Sequence, residues 1–353
     1  MNRISLAVLF GGASSEYEIS LRSAASVLSG LDRSKYNLSI VGISREGDWY
    51  YLPEVSPDEI EADRWQALPK YECTLVTSRK SSGLYVFKTD EWISLDVIFP
   101  VMHGENAEDG RLQGACELSG IACVGPGAAS SAVCMDKSLT KLVAASAGVA
   151  QADWICVTTH DFESSDVISK VEKKFSYPVF VKPTGTGSSV GAAKASDRKE
   201  LREKLSNALS YGGKALVEEF IPAREIETAV LGNDDAIVSV CGEVLSATET
   251  YSYESKYLDS ASKTVIPADL PEEISEEIRG YAKKIYHALS CSGLSRVDFF
   301  IHKETGKIIF NEINTIPGFT SISMYSKLFA ACGIEFSDLL DRIISFALER
   351  KER

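Results

Sequence analysis

The sequence predicts a mixed α/β and α+β protein of more than one domain. Three observations carry this expectation. The first third alternates short apolar runs with segments of helical period, the pattern of a parallel sheet with crossover helices. The last third runs through a long amphipathic segment, a charged hairpin and a terminal helix, without that alternation. A length of 353 residues also exceeds what one hydrophobic core usually organises, so two or three domains are expected.

Ser5–Phe10 reads as a buried strand. Gly11-Gly12-Ala13-Ser14-Ser15 then turns the chain into a helix whose apolar positions, Leu21, Ala24, Ala25, Leu28 and Leu31, keep helical spacing. Strands are expected at Tyr36–Ile43 and Leu95–Val101, a helix at Arg111–Leu118, and a short strand at Ile121–Val124. Between Asp48 and Glu91 the chain reads only as loops and edge strands. Gly125-Pro126-Gly127 marks a boundary. Beyond it come a helix near Met135–Gly148, a strand at Val179–Pro183, a Gly/Ser loop, and a strand at Ala215–Phe220. Strands around Glu225–Leu231 and Ala236–Val240 lead to the polar loop Glu249–Val265. Its composition suits a surface linker and an active-site lid equally. From Glu272 to Leu289 the apolar stripe Ile274, Ile278, Tyr281, Ala282, Ile285 and Leu289 predicts a helix. There is no internal repeat and no low-complexity segment.

No apolar run reaches the length of a membrane span. The N-terminal run Ile4–Phe10 is too short for a signal peptide, so a cytoplasmic protein is expected. Eight cysteines stand singly, without CxxC spacing or histidine neighbours, and are expected to be reduced, buried thiols. A net charge of −13 argues against nucleic acid as the main partner. One small anion held by local cations stays compatible with it.

The most informative stretch is Arg296-Val-Asp298, followed across a turn by Phe310-Asn-Glu312-Ile-Asn314. Leu294–Ile301 and Lys307–Asn314 read as strands joined at Lys303-Glu-Thr-Gly306, with a glycine for the positive-φ position. A hairpin centred near Thr305 sets Asp298 opposite Glu312 and Arg296 opposite Asn314. Residues two apart share a strand face, so all four side chains emerge together. Two carboxylates and an amide oxygen form a hard-oxygen set for Mg²⁺ or Mn²⁺. The guanidinium beside them suits a phosphate or an oxyanion.

Lys182-Pro-Thr-Gly185-Thr-Gly187-Ser188-Ser189-Val-Gly191 follows a short apolar strand. Its backbone N–H groups and hydroxyls can approach an anion. It is neither a GK[ST] phosphate loop nor a dinucleotide fingerprint, and a plain Gly-rich turn stays open. A second lysine stands in Met135-Asp136-Lys137. Two lysines, a Gly/Ser flap and a carboxylate nest together suit a nucleoside triphosphate. His103, in Pro100-Val-Met-His103-Gly104-Glu-Asn-Ala-Glu108-Asp109-Gly110, lies just past a strand, where α/β ligand sites form. His160, His287 and His302 have no such setting.

In this order, the segments resemble the D-alanine–D-alanine ligases of the ATP-grasp superfamily over nearly the whole chain. The resemblance runs from Leu9-Phe-Gly-Gly-Ala-Ser-Ser-Glu16 through the His-Gly…Glu-Asp-Gly segment, Met-Asp-Lys137 and Phe180-Val-Lys182-Pro. It continues through Val217-Glu218-Glu219-Phe220, Arg224-Glu225, Lys256-Tyr257, Arg296-Val-Asp298 and Asn311-Glu312-Ile-Asn314-Thr-Ile-Pro317-Gly318. It implies a three-domain ATP-grasp fold: an N-terminal parallel α/β domain over 1–125, a central subdomain over 126–221, and a C-terminal subdomain over 222–353. It also implies ATP-dependent joining of two D-alanine molecules for peptidoglycan, hence cell-wall formation and cell shape, through an acyl phosphate. The expected cofactors are ATP and two Mg²⁺ or Mn²⁺ ions. A homodimer without nucleic-acid or membrane partners is carried over in the same way.

By this resemblance, Lys137 and Lys182 hold the α/β-phosphates, and Ser189 and Glu219 join the nucleotide ligands. Glu218 and the backbone at Ile221 read adenine, and Glu225 holds the ribose. Asp298, Glu312 and Asn314 bind the metals. Lys256 and Arg296 touch the transferred phosphate, and Arg296 with the Gly318 N–H stabilises the oxyanion. Glu16 binds the first substrate's ammonium group and is linked to Ser188 and Tyr257. His103 is a substrate-side polar residue. Ser323 takes the second substrate's carboxylate, with Met324 packing on its methyl group. The chain departs from the family pattern at Ala107, at Ser326 and in the small flap residues Thr184-Gly-Thr186. Related ligases that accept D-serine are the nearest alternative, against which apolar Met324 weighs. From a different class, a non-catalytic nucleotide-binding regulator is disfavoured by the full set of metal and phosphate residues.

Overall fold

The computed structural model describes residues 3–164, 166–187, 190–245, 263–320 and 323–351. Its strands form three sheets. The first contains β1 (Ile4–Gly11), β2 (Tyr36–Ile43), β3 (Trp49–Leu52), β4 (Tyr71–Val76), β5 (Gly83–Val86), β6 (Glu91–Ile93), β7 (Val97–Val101) and β8 (Ala122–Cys123), in the order β6-β5-β4-β3-β2-β1-β7-β8. The strands β2, β1, β7 and β8 run parallel, as the alternation predicts. The stretch Asp48–Glu91, read from sequence as loops and edge strands, extends the sheet by antiparallel pairing. Residues Leu6–Phe10 are wholly buried because β1 lies between two neighbours and under helices on both faces. Gly11 (φ +86°) ends the strand where a Cβ would meet the Ile43 carbonyl at 2.2 Å, so only glycine fits.

The second sheet, order β11-β10-β12-β9, is antiparallel, with β9 (Trp154–Thr158), β10 (Val179–Pro183), β11 (Ala193–Ala195) and β12 (Lys214–Glu219). Helices Val167–Lys174 and Arg198–Leu209 cover one side of it. The third sheet has the path β16-β15-β13-β17-β18, with β14 (Ile237–Val238) attached to β13. Here β13 is Ala223–Gly232, β15 Gly242–Leu245, β16 Lys263–Val265, β17 Gly293–His302 and β18 Ile308–Asn314.

The helix expected over Met135–Gly148 is two helices, Ala128–Met135 and Lys137–Ser146. Asp136 breaks them apart. Its backbone is extended (ψ 99°), and its carboxylate accepts from the Ser138 and Leu139 N–H groups as an N-cap. Cys332 is exposed and Cys156 half-buried, against the expectation of uniformly buried thiols; Cys332 caps the end of a helix, and Cys156 lies in the edge strand β9. Among the described residues no helix is long and apolar enough to cross a membrane.

The C-terminal helices Met324–Ala331 and Phe336–Lys351 share one core with β1, the helix Tyr17–Gly30, and Ala229, Leu231 and Leu294 of the third sheet. Phe319 anchors this junction. Its ring lies 5.6 Å from Phe99, 5.9 Å from Tyr325 and 6.5 Å from Phe336. Leu340 is fully buried in the same core. The variant Leu340→Ala is expected to lose about 2–5 kcal/mol. A lowered midpoint of chemical denaturation checks this, with far-UV dichroism unchanged before the transition.

Candidate active site

The cleft is built first by strand register. Across β13, β17 and β18 the pairing places Glu227, Asp298 and Glu312 abreast, and Ala229, Arg296 and Asn314 in the next row. The hairpin arithmetic is therefore found as expected, with Gly306 at φ +69° in the turn. Directly opposed side chains share a face. A register shift then opens between Asp298 and Phe299. Ile313 and Phe310 both point into the core, so the two residues between them, Asn311 and Glu312, both line the cleft.

Arg296 grips this row. Its Nε donates to Asp298 Oδ1 at 2.8 Å and its Nη2 to Oδ2 at 2.7 Å, while Nε also lies 3.0 Å from Glu227 Oε2. Asn314 Nδ2 donates to Asp298 Oδ2 at 3.1 Å. This fork-on-carboxylate geometry fixes both groups in position.

Facing it, the second sheet and the helix Lys137–Ser146 supply the cations. Lys137 and Lys141 are one turn apart and share a helix side. Lys137 Nζ donates to the Thr186 carbonyl at 2.6 Å and lies 3.8 Å from Glu312 Oε2. Burial lowers its pKa, against the pull of Glu312. Lys182, on β10, donates to Asn311 Oδ1 at 3.3 Å and lies 2.9 Å from Glu218 Oε2. Lys141 Nζ lies 2.9 Å from the other oxygen, Oε1. Burial pushes the Glu218 carboxyl up, but Lys182 and then Lys141 outweigh it and hold the group below the usual carboxylate range. The cleft between these elements encloses about 320 Å³ and is lined by Phe180, Ile221, Glu225, Phe300, Asn311 and Glu312 among others. Apolar faces with a few convergent polar groups are the usual make-up of a ligand site.

The first sheet closes the far end. His103 is buried, with Nδ1 3.1 Å from the Ile316 carbonyl and Nε2 3.1 Å from Ser23 Oγ. A carbonyl only accepts, so Nδ1 carries the proton and Ser23 donates to Nε2. Burial keeps the imidazole pKa below its ordinary value, against the charge of Glu16. Ser23 Oγ in turn accepts from the Phe319 N–H at 3.3 Å. Glu108 accepts from the Gly104 N–H at 2.8 Å and the Ile316 N–H at 3.1 Å. Three side chains from the unit built on the first sheet thus hold the loop that carries Gly318. The buried Glu16 carboxylate sits between Gly104 and Gly187, where a Cβ on either glycine would meet its Oε2 at 2.7 and 2.6 Å. Ser323 Oγ accepts from the Thr320 N–H at 3.0 Å, and a Cβ on Gly318 would lie 2.8 Å from it.

Of the residues singled out from sequence, Lys137, Lys182, Glu218, Glu219, Ile221, Glu225, Asp298 and Glu312 line one cleft. Arg296 and Asn314 stand beside them, and Glu16, His103, Gly318 and Ser323 gather at the end closed by the first sheet. Ser188, Ser189, Lys256 and Tyr257 lie outside the described residues, as does the loop Glu249–Val265 except for β16. Met324 stands at the start of a C-terminal helix, just after Ser323. It is buried, and its sulfur packs over Gly242 beside Leu328 in the core shared with that helix. Sequence reading missed Lys141, Glu227 and Asn311. Glu227 was within reach, two residues from Glu225 on one strand face.

The donors suit a hard divalent ion. Two carboxylates stand abreast, and the Asn314 bond to Asp298 uses the amide nitrogen, leaving its oxygen for another partner. Among the described residues no three His, Cys, Asp or Glu side chains gather as a metal cluster.

Comparison with known proteins agrees with this geometry. Residues 5–126 match the family model described as D-ala D-ala ligase N-terminus, and residues 143–345 the one described as D-ala D-ala ligase C-terminus. The chain is 47% identical over 347 residues to the D-alanine--D-alanine ligase of Clostridium acetobutylicum, covering 98% of each. It is 46% identical over 359 residues to that of Acetivibrio thermocellus, covering 97% of this chain and 95% of that one. The solved VanG D-Ala:D-Ser ligase from Enterococcus faecalis superposes with a TM-score of 0.90 at 36% identity, over 98% of this chain and 100% of that one. The D-alanine-D-alanine ligase from Coxiella burnetii gives 0.87 at 33%, over 100% and 96%.

The Glu108 tie generates a pH prediction. Burial, then the charge of Glu16, push its carboxyl up to about 8 from an ordinary 4.5, against its two N–H donors. The folded state therefore favours the proton. The resulting stability is full below the ordinary value and lost as pH rises through about 8. The variant Glu108→Gln removes that titration, so its melting temperature is expected to vary less with pH than the wild type's between about pH 5 and pH 9. Calorimetric melts across that range check it, and equal slopes in the two proteins would count against it.

Proposed function

The chain belongs to the D-alanine–D-alanine ligase family, and we propose that it joins two molecules of D-alanine into D-alanyl-D-alanine, converting ATP to ADP and phosphate. The observation that carries this is the facing of two charge sets across one cleft. The row Glu227–Asp298–Glu312, with Arg296 and Asn314, opposes Lys137 and Lys182. A carboxylate is a poor electrophile. An oxygen of the first substrate's carboxylate therefore attacks the γ-phosphorus, the bond to ADP breaks, and an acyl phosphate forms. The amine of the second substrate attacks the acyl carbon, a C–N bond forms, and phosphate leaves with loss of the amine proton.

In this reading Lys137 and Lys182 bind the phosphates, joined by Ser189 and Lys256. Glu218, Glu219 and the Ile221 backbone bind the base, and Glu225 the ribose. Asp298, Glu312 and Asn314 hold two Mg²⁺ or Mn²⁺ ions, which when bound neutralise charge on the phosphoryl oxygens. Glu16 takes the ammonium group of the first substrate, with Ser188, Tyr257 and His103 around it. Arg296 and the Gly318 N–H meet the oxyanion of the tetrahedral intermediate. Ser323 takes the second carboxylate. Three functional units, 1–125, 126–221 and 222–353, meet at the cleft, in keeping with one sheet in each. The product serves peptidoglycan synthesis in the cytoplasm, and the active form is a homodimer.

The acceptor is tested by mass analysis of products with D-alanine alone, then with added D-serine or D-lactate. D-alanyl-D-alanine is expected to dominate. Predominance of D-alanyl-D-serine would instead align this chain with the Enterococcus faecalis ligase that it resembles in structure. The chemistry is tested by Glu312→Gln. Turnover is expected to fall roughly a hundredfold or more, because several kcal/mol of charge stabilisation are lost. Its melting temperature should be unchanged. Near-normal turnover with Mg²⁺ would remove Glu312 from the metal set.

A further inference from the structure

Lys141 is among the largest fully buried side chains of the protein, with 2% of its surface exposed. Lysine is almost never found so deep unless it is paired, because desolvating an ammonium group is costly. Its partners are Glu218 Oε1 at 2.9 Å and the Ala152 carbonyl at 3.4 Å. Lys141 is not among the residues that line the cleft, whereas Glu218 and Lys182 are. The carboxylate therefore has one lysine behind it and one beside it, and turns its remaining acceptor capacity toward the cleft.

We propose that Lys141 is a positioning residue that holds Glu218 as a fixed carboxylate acceptor, and thereby makes the cleft select a 6-amino purine nucleotide over a 6-oxo one. This rests on the reading above in which Glu218 meets the nucleobase. An ionised carboxylate only accepts hydrogen bonds. The amino group of adenine donates to it. The carbonyl of hypoxanthine or guanine presents a second acceptor, leaving two buried acceptors face to face. Lys182 alone cannot guarantee this state. It also reaches Asn311 Oδ1 at 3.3 Å and stands on the cleft wall, where a phosphate draws it away. Lys141 has no such competitor, so it keeps Glu218 ionised and oriented while Lys182 engages the nucleotide. The low carboxyl pKa produced by the two lysines together is consistent with this division of labour.

The test compares kcat/KM for ATP and for ITP, read as phosphate release with D-alanine, in wild type, Lys141→Met and Glu218→Gln. A site with a buried unpaired acceptor rejects the wrong partner strongly, so the wild type is expected to prefer ATP by about a hundredfold or more. In Lys141→Met the preference is expected to fall at least about tenfold, through a higher KM for ATP, with kcat for ATP within about threefold. A charge-free donor variant, Lys141→Gln, is expected to shift the ratio in the same direction. An unchanged ATP/ITP ratio in folded Lys141→Met, or loss of folding in both lysine variants, would make Lys141 a structural ion-pair partner and overturn the proposal. Glu218→Gln separates the two levels. Collapse of the ratio there, with none in Lys141→Met, refutes only the role of Lys141. No change in either variant refutes the base contact of Glu218, and absence of ATP-dependent dipeptide formation in the wild type refutes the ligase reading itself.

Discussion

Antiparallel pairing of β13, β17 and β18 decides which side chains stand abreast, and a slip of one residue would turn each of them to the opposite face. With the observed register, Glu227, Asp298 and Glu312 form one line and Arg296 and Asn314 flank it. The irregularity after Asp298 adds Asn311 to the same face as Glu312. A regular ladder would have sent Asn311 into the core with Ile313 and turned Phe310 out to the cleft, and Lys182 would lack its 3.3 Å partner Asn311. The chemistry of the cleft is in this sense a consequence of strand bookkeeping. The core behind it, Ile226, Val297, Phe299 and Phe310, is what makes a slip costly.

The second requirement is that the loop after β18 be held still. Ile316 is bound on both sides of its peptide, its carbonyl by His103 and its N–H by Glu108, and Phe319 is bound by Ser23. All three side chains come from the first sheet's unit. Phe319 then inserts its ring among Phe99, Tyr325 and Phe336, joining that unit to the C-terminal helices. Arg350, near the end of the chain, donates to the carbonyls of Cys123 and Gly125 and closes the same seam from the other side. Gly318 is thus positioned by a hydrogen-bonded loop on a packed aromatic junction.

What was legible in the sequence was local. Arg296, Asp298, Glu312 and Asn314 could be paired because period-two alternation and a turn glycine fix a hairpin without help from the rest of the fold. The parallel order of β1, β2 and β7 followed from alternation in the same way. What escaped depended on partners far away in the chain. Lys141 looks like a solvent-facing helix lysine until Glu218, from another element, arrives beside it. The packing of Met324 over Gly242 depends likewise on a strand far away in the chain. The helix Arg198–Leu209 was passed over although Asp197 caps it and Leu201, Leu205, Ala208 and Leu209 keep helical spacing, because the glycine-rich loop before it masked its start. The split at Asp136 was local too, but a capping aspartate inside a helical pattern is easily read as one more polar residue.

The protein has a net charge of −13, and its cleft carries the carboxylates Glu218, Glu227, Asp298 and Glu312, yet the ligand proposed for it is a polyanion. The pairing of charges resolves this. Each carboxylate close to the proposed phosphates already touches a cation: Glu312 with Lys137, Glu218 with Lys182 and Lys141, Asp298 with Arg296. Under the proposed function, a nucleotide entering with its divalent ions makes an exchange. Its phosphates would draw Lys137 off Glu312 and Lys182 off Glu218, so that Glu312 could serve the divalent ions and Glu218 the nucleobase. Total charge in the buried region is then nearly conserved, which keeps the desolvation cost of binding low. Two carboxylates do not need to be released. Asp298 keeps its fork from Arg296, and Glu218 keeps Lys141. The asymmetry between Lys182, which has a ligand to move to, and Lys141, which has none, is what allows one carboxylate to remain a fixed acceptor while the charges around it are redistributed.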